Sequence, residues 1–230
     1  VEDNVIIGND SELMVHSVVF SGARIGAGCR IFPGAVIAAD PQDFAYKGQS
    51  TGVVIGDRTT IRECVTVNKA SHAELVQIGN DCLIMAYCHV AHDCVIGDHV
   101  VIANAVQLGG HVHIGDWAVL GGVSKVHQFC RVGKHAMVAA DAMITKDVPP
   151  FALTSRQPVG VEGINKVGLS RRGFSSEEIK ALDDFYTTVF FSGYNMSDGI
   201  QEYSRNNIDP HTHVAETIAF IKSSKRGVYR

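Results

Sequence analysis

The sequence predicts a parallel β-helix that carries a small α-helical appendage, and three observations predict it. From Ile78 to Val148 a large aliphatic residue returns at every sixth position: Ile78, Ile84, Val90, Ile96, Ile102, Leu108, Ile114, Leu120, Val126, Val132, Val138 and Ile144. Four places after each stands a small or β-branched residue, in order Cys82, Cys88, Cys94, Val100, Val106, Val112, Ala118, Ser124, Cys130, Ala136, Ala142 and Val148. A hexapeptide period specifies a β-helix; neither the helical period of about 3.6 nor plain strand alternation explains it. Second, Gly79, Gly97, Gly115 and Gly133 recur every eighteen residues, so three hexads make one triangular coil. One corner per coil takes glycine, which predicts a bend with positive φ there. Third, the period stops at Asp147-Val148-Pro149-Pro150, where proline denies a ladder its donors, and the pattern beyond is helical.

Taken in order, residues 1–148 form the β-helix. Val1, Ile7, Leu13, Val19, Ile25, Ile31 and Ile37 hold the large slot, and Gly8 and Gly26 mark the corner. The chain begins inside the pattern without a polar cap, and solenoids need capped ends, so one or two further coils are expected ahead of Val1. The period breaks twice, by twelve extra residues between Ile37 and Ile55 and by five between Val67 and Ile78. These insertions, near 38–54 and 68–77, leave the same corner on successive coils. Insertions in repeat proteins map to a binding face, and loops on a rigid scaffold carry function. A linker is expected over 149–174 and a helical domain over 175–230. There, Ser175 with Glu178 forms a capping box ahead of Ile179, Leu182, Phe185, Tyr186, Val189 and Phe190, a helix that ends at Gly193. Ser197 is expected to cap a second helix, and Asp209-Pro210 to open a third carrying Val214, Ile218 and Ile221.

Composition narrows the function classes. A net charge of −4 argues against a nucleic-acid binder. There is no stretch long enough for a membrane span and no signal peptide, which points to the cytoplasm. Cys29, Cys82, Cys88, Cys94 and Cys130 fall in the small inward slot and read as buried free thiols. A narrow prism interior also explains why aromatics are only 7% of the chain.

The chemistry is sought among the eleven histidines. His16, His89, His92, His99, His111, His113, His127 and His135 lie in hexads, and none takes an inward slot. His16, His99 and His135 read as surface residues. His92, His111 and His127 recur one coil apart on one wall, spanning roughly 10 Å at ~4.8 Å per strand, and His89 ends the preceding hexad at the adjoining corner. Imidazole is the natural general base at neutral pH, with Asp93 a candidate orienting acid. Gly109-Gly110 brings bare backbone beside this wall, so an amide N–H can face a developing oxyanion. Three histidines could instead hold zinc with an open position.

At these residues a resemblance becomes specific. HVAHDC (89–94), LGGHVHIGD (108–116), GGVSKVHQFC (121–130), KDVPP (146–150) and GLSRRGFS (168–175) resemble the UDP-N-acetylglucosamine O-acyltransferase family, as do PQDFAY in the first loop and the closing RGVYR. The likeness implies a homotrimer of left-handed β-helices with active sites between subunits, a handedness opposite to the usual crossover that periodicity does not reveal. It implies transfer of an (R)-3-hydroxyacyl group from acyl carrier protein to the 3-position of UDP-N-acetylglucosamine, the first step of lipid A synthesis. No cofactor, metal or covalent intermediate is implied. By resemblance His92 is the general base, Asp93 supports it, and Gly110 donates to the thioester oxyanion. Asp43, His89, His111 and Gln128 match sugar-nucleotide contacts, and His127 lines that pocket. Asn165, Arg171 and Arg172 match groups near the nucleotide, its phosphates or the carrier arm. Ala140 matches a position that sets acyl length. Ala45, Asn68 and Val167 depart from the family, replacing a frequent lysine, a histidine and a glutamate. Two other readings stay open. A γ-class carbonic anhydrase would share the helix and need zinc, which metal analysis separates; a non-catalytic scaffold would show no saturable sugar-nucleotide binding.

Overall fold

The computed structural model describes residues 1–207 and 211–230. Short strands stack as three parallel sheets, the faces of a prism wound left-handed. The first face runs from Ile6–Ile7 through Leu75–Ile78 to Arg131–Val132, and the second includes Glu12–Leu13, Leu83–Ile84 and Met137–Val138. The third runs from Val18–Val19 through His89–Val90 and Gln107–Leu108 to Met143–Ile144. Register is strict: Ile78 pairs with Ile96, Ile96 with Ile114, and Ile114 with Val132.

Both inward slots are buried from Ile78 to Val148, as the hexad period requires. Each fully buried Ile or Leu contributes ~1.5–3 kcal/mol, so stability accumulates along the line. At the first coil the slot is open, and Val1 is 71% exposed. The five inward cysteines are buried and free, while Cys64 is exposed. Burial pushes the Cys82 and Cys88 thiols up to about 11, which keeps them inert.

The corner glycines are explained differently from the expectation. Gly79, Gly97, Gly115 and Gly133 do not have positive φ; the left-handed residue comes two places later, at Asp81, His99, Trp117 and His135. Glycine is required there by close approach, because a β-carbon on Gly79 would lie 2.5 Å from the carbonyl carbon of Gly97. Next to it the Asp98 carboxylate accepts from Asn80 N at 2.6 Å, and Asp116 accepts from Asp98 N at 2.9 Å, lacing coil to coil. Left-handed residues recur at the other corners too, at Tyr87, Asp93, Ala105, His111, Val123 and Phe129. Each costs ~1–2 kcal/mol, which the ladders on both sides offset.

The stretch 149–174, expected as a linker, is not bare chain. Ala152–Thr154 joins the second face in parallel with Met137–Val138, Val161–Ile164 pairs antiparallel beside it, and Lys166–Arg171 forms helix α1. Helix α2 (Ser176–Tyr186) has the expected Ser175/Glu178 capping box and runs on as a π-turn over Thr187–Phe191. Helix α3 (Met196–Asn206) is capped by Asn195 rather than Ser197; the Asn195 side chain accepts from Asp198 N. Asp209-Pro210 lies outside the described residues. Helix α4 (Thr212–Lys222) follows, burying Val214 and Ile221. The closing residues return to the prism, where Tyr229 Oη accepts from Thr145 N at 2.8 Å.

Candidate active site

Both insertions leave the corner between the third and first faces on successive coils, the second directly before the coil whose turn carries His92 and Asp93. The second loop wraps around Asp93. Its Oδ1 accepts from Ser71 N, His72 N and Ala73 N at 3.0, 3.0 and 2.7 Å. Its Oδ2 faces three imidazoles: His92 Nδ1 at 2.7 Å, His72 Nδ1 at 3.4 Å and His111 Nε2 at 3.4 Å. Only 1% of the Asp93 side chain is exposed. Desolvation by itself raises its pKa, but the bonds from His92 and from the backbone of Ala73, His72 and Ser71 outweigh that and hold the carboxyl well below the usual range. The first loop closes over the second, since Ser71 Oγ donates to Asp43 Oδ2 at 2.6 Å and Ala45 N to Asp43 Oδ1 at 2.9 Å. These two bonds, the Ser71 hydroxyl first, lower the Asp43 pKa.

The ionised Asp93 accepts from His92 Nδ1, so the neutral ring keeps its lone pair on Nε2. That edge lies over Gly110, where an added β-carbon would fall 2.5 Å from Nε2. His92, Gly110 and Gln128 occupy equivalent places on successive coils, and glycine is what lets the imidazole lean over the next turn. The Gly110 N–H donates to no acceptor among the described residues. His111 packs edge-on to His92 with centroids 5.3 Å apart and stacks on Phe129 at 4.4 Å. Burial lowers the His111 pKa, with Asp93 opposing. An unpaired imidazole nitrogen, a free amide donor and a buried carboxylate behind the imidazole suit proton abstraction coupled to acyl transfer.

Sequence reasoning missed His72 and Ser71. His72 lies in an insertion, outside the hexad register that singled out the other histidines, and the Ser71 contact depends on how two loops meet. One ligand atom from each of His72, His92, Asp93 and His111 lies within 4.8 Å of the others.

The remaining expected residues lie further out. His89 stands on the third face, its Nδ1 sharing a 2.7 Å hydrogen bond with Thr66 Oγ1. His127 is held by Arg226, whose Nη2 donates to Nδ1 at 3.1 Å, and Gln128 is exposed beside it. Asn165 is the N-cap of α1, accepting from Gly168 N at 3.1 Å, and Arg171 is exposed in the last turn of that helix. Arg172 lies at a different corner from His92, between the first and second faces, 5.3 Å over Trp117 and 3.3 Å from His135 Nδ1. Ala140 is exposed at the third corner, between the second and third faces. Of the departures, Asn68 is buried with Oδ1 unpartnered, and Val167 is exposed.

His135, expected on the surface, is 9% exposed. It stacks between Trp117 and Phe151. Desolvation, then the Arg172 charge, push its pKa down to about 4. The fold therefore favours the neutral ring, and its contribution is complete above pH ~6.5 and lost as the pH falls towards 4. Stability should drop by about 3 kcal/mol over that window. Thermal melts of His135→Phe should show that slope flattened; an unchanged slope would assign the acid sensitivity elsewhere.

The family model described as UDP N-acetylglucosamine O-acyltransferase, domain 2, matches residues 147–229, and the bacterial transferase hexapeptide model matches 76–110. The acyl-[acyl-carrier-protein]–UDP-N-acetylglucosamine O-acyltransferase of Janthinobacterium sp. is 43% identical over 206 residues, covering 87% of this chain and 79% of that one. Its counterpart in Myxococcus xanthus is 42% identical, covering 90% and 80%. Among solved structures, the UDP-N-acetylglucosamine acyltransferase of Francisella novicida superposes with a TM-score of 0.93 at 39% identity, covering 100% of this chain and 84% of that one. That of Bacteroides fragilis gives 0.95 at 34%, covering 100% and 97%. With relatives above 40% identical that it covers to about four fifths of their length, and solved structures superposing over the whole chain, this chain belongs to the UDP-N-acetylglucosamine O-acyltransferase family.

Proposed function

We propose that this chain transfers an (R)-3-hydroxyacyl group from acyl carrier protein to the 3-hydroxyl of UDP-N-acetylglucosamine, the first step of lipid A synthesis, and that it does so in the cytoplasm. The single observation that carries the mechanism is the Asp93–His92 pair leaning over Gly110. His92 Nε2 takes the proton of the sugar hydroxyl as its oxygen attacks the thioester carbonyl. The oxyanion receives the free Gly110 N–H; as it collapses, the C–S bond breaks, and the imidazolium returns the proton to the departing thiolate. Asp93 fixes the tautomer and stabilises the imidazolium. Asp43, His89, His111, His127 and Gln128 line the sugar-nucleotide side. Among the described residues no helix is long and apolar enough to cross a membrane. Mass spectrometry of the product from a mixed acyl-carrier pool, after exhaustive chelation, tests the reading. An acylated sugar nucleotide is expected; activity lost to chelation and restored by zinc would favour the anhydrase-like alternative.

The site needs neighbouring copies, and we read the assembly as a homotrimer. A convex corner offers no enclosed pocket of the kind small ligands occupy. Arg172 and Ala140 stand at other corners of the same chain, where only a second copy can bring them to His92. Tyr87, Val123, Phe129 and Met143 are exposed along the third face and its two edges, an apolar surface suited to burial between subunits. Sedimentation should find a trimer at assay concentration, and an active monomer would contradict the shared site.

An acyl chain starting at His92 must run along the outside of the prism, because the interior is filled by the two inward slots. Exposed Ala140 is then placed to end the groove. Each methylene accommodated contributes ~0.8 kcal/mol, so Ala140→Met should shorten the preferred donor while sugar-nucleotide affinity barely changes. Competition between donors of different length measures this; unchanged preference would mean the groove ends elsewhere.

A further inference from the structure

We infer that His72, His92, Asp93 and His111 form a transition-metal site, and that a bound dication such as Zn²⁺ switches the enzyme off by capturing its base. The donor set has the composition of a four-coordinate zinc centre, three imidazoles and one carboxylate. Asp93 is already divided between two tasks. Its Oδ1 is occupied by the amides of Ser71, His72 and Ala73, so the loop orients the carboxylate whether or not a metal is present. Its Oδ2 takes one longer bond, from the His72 amide at 3.2 Å, and otherwise faces the three rings.

Bond lengths of ~2.0–2.1 Å place the ligand atoms of a tetrahedral zinc about 3.3–3.4 Å apart. The distances from Asp93 Oδ2 to His72 Nδ1 and to His111 Nε2 are both 3.4 Å, already that edge length. His92 Nδ1, at 2.7 Å, is closer than the edge, because it is hydrogen-bonded to the carboxylate. Metal binding must break that bond and draw the ring back. Two imidazoles already stand at that edge length from the carboxylate, and the third ligand is the proposed base itself. His72 gives access from solvent, since 55% of its side chain is exposed. Imidazole ligands select zinc, copper and nickel over magnesium, so ordinary magnesium would leave the enzyme running.

The binding claim stands on geometry alone, whereas the inhibition claim rests on His92 being the base. Both are read with the chelated full-length protein. Calorimetry with Zn²⁺ should give one ion per chain, and Co²⁺ should give the intense visible bands of tetrahedral coordination. His72→Ala should weaken binding by at least ~10-fold through loss of a ligand, with the circular dichroism spectrum unchanged. His16→Ala, at the far end of the prism, should leave affinity unaltered. Acyl transfer should fall as zinc occupancy rises and return on chelation. Absence of saturable uptake, or uptake equally tight in His72→Ala with a weak octahedral cobalt spectrum, would overturn the site. One tetrahedral ion per chain without inhibition would support the site and sink His92 as the base.

Discussion

Replacing His92 with alanine is expected to lower turnover by ~10²–10⁴-fold, the range for removing a positioned general base, while the protein stays folded. The imidazole lies outside the prism, 15% exposed, so its loss opens no cavity in the stacked core. Asp93 keeps three backbone donors from the second loop, so the carboxylate is not left bare. No substitute base takes over readily. His111 is turned edge-on and presents Nε2 to Asp93 rather than to Gly110, and His72 likewise turns Nδ1 to Asp93 Oδ2. His111→Ala should therefore raise KM more than it lowers kcat, whereas His92→Ala should act mainly on kcat. Steady-state kinetics on both variants separates the roles. Turnover near that of the parent in His92→Ala would remove the mechanism altogether.

Much of the fold is legible because the hexad is a covalent ruler. Each large slot from Ile78 to Ile144 faces inward by register alone, so the core, the corners and the origin of both loops follow from counting. Handedness does not follow from counting and entered through resemblance. The corner glycines mark the limit of the period, which locates the corner but does not say whether glycine serves φ or close approach; Asp98 beside Gly79 decides it. Over 149–174 the strands and the six-residue helix are too short for periodicity to register. His135 sits outside both slots yet is buried by Phe151, Arg172 and Phe174 of the 149–174 stretch, long-range packing that no local pattern encodes. The same limit hid His72. The hexad register brought His92, Asp93, Gly110 and His111 together, but what an insertion folds back onto depends on the loop, and the loop has no period.

Gly110→Ala is the second large effect expected, and it tests the site at its tightest contact. Gly110 has no positive φ, so alanine is compatible with its backbone and the coil should form. The new β-carbon, however, would lie 2.5 Å from His92 Nε2, well inside van der Waals contact. The ring must swing away from the next coil, carrying the basic nitrogen off the line to the sugar hydroxyl. A misplacement near 1 Å costs about 10²-fold, so kcat should fall by about that factor. Gly109→Ala is the control for backbone crowding. Its β-carbon would meet Gln128 N at 2.8 Å, coil against coil, so melting temperature should drop more than in Gly110→Ala. The double variant His92→Ala/Gly110→Ala then apportions the cause. If Gly110 acts only by making room for the ring, the glycine substitution has no further effect once the imidazole is gone. Because alanine keeps the amide N–H, a residual loss would report the methyl group crowding the bound substrate. Additive losses would mean the two residues work independently, and parent-like kcat in Gly110→Ala would show that the imidazole does its work in another position.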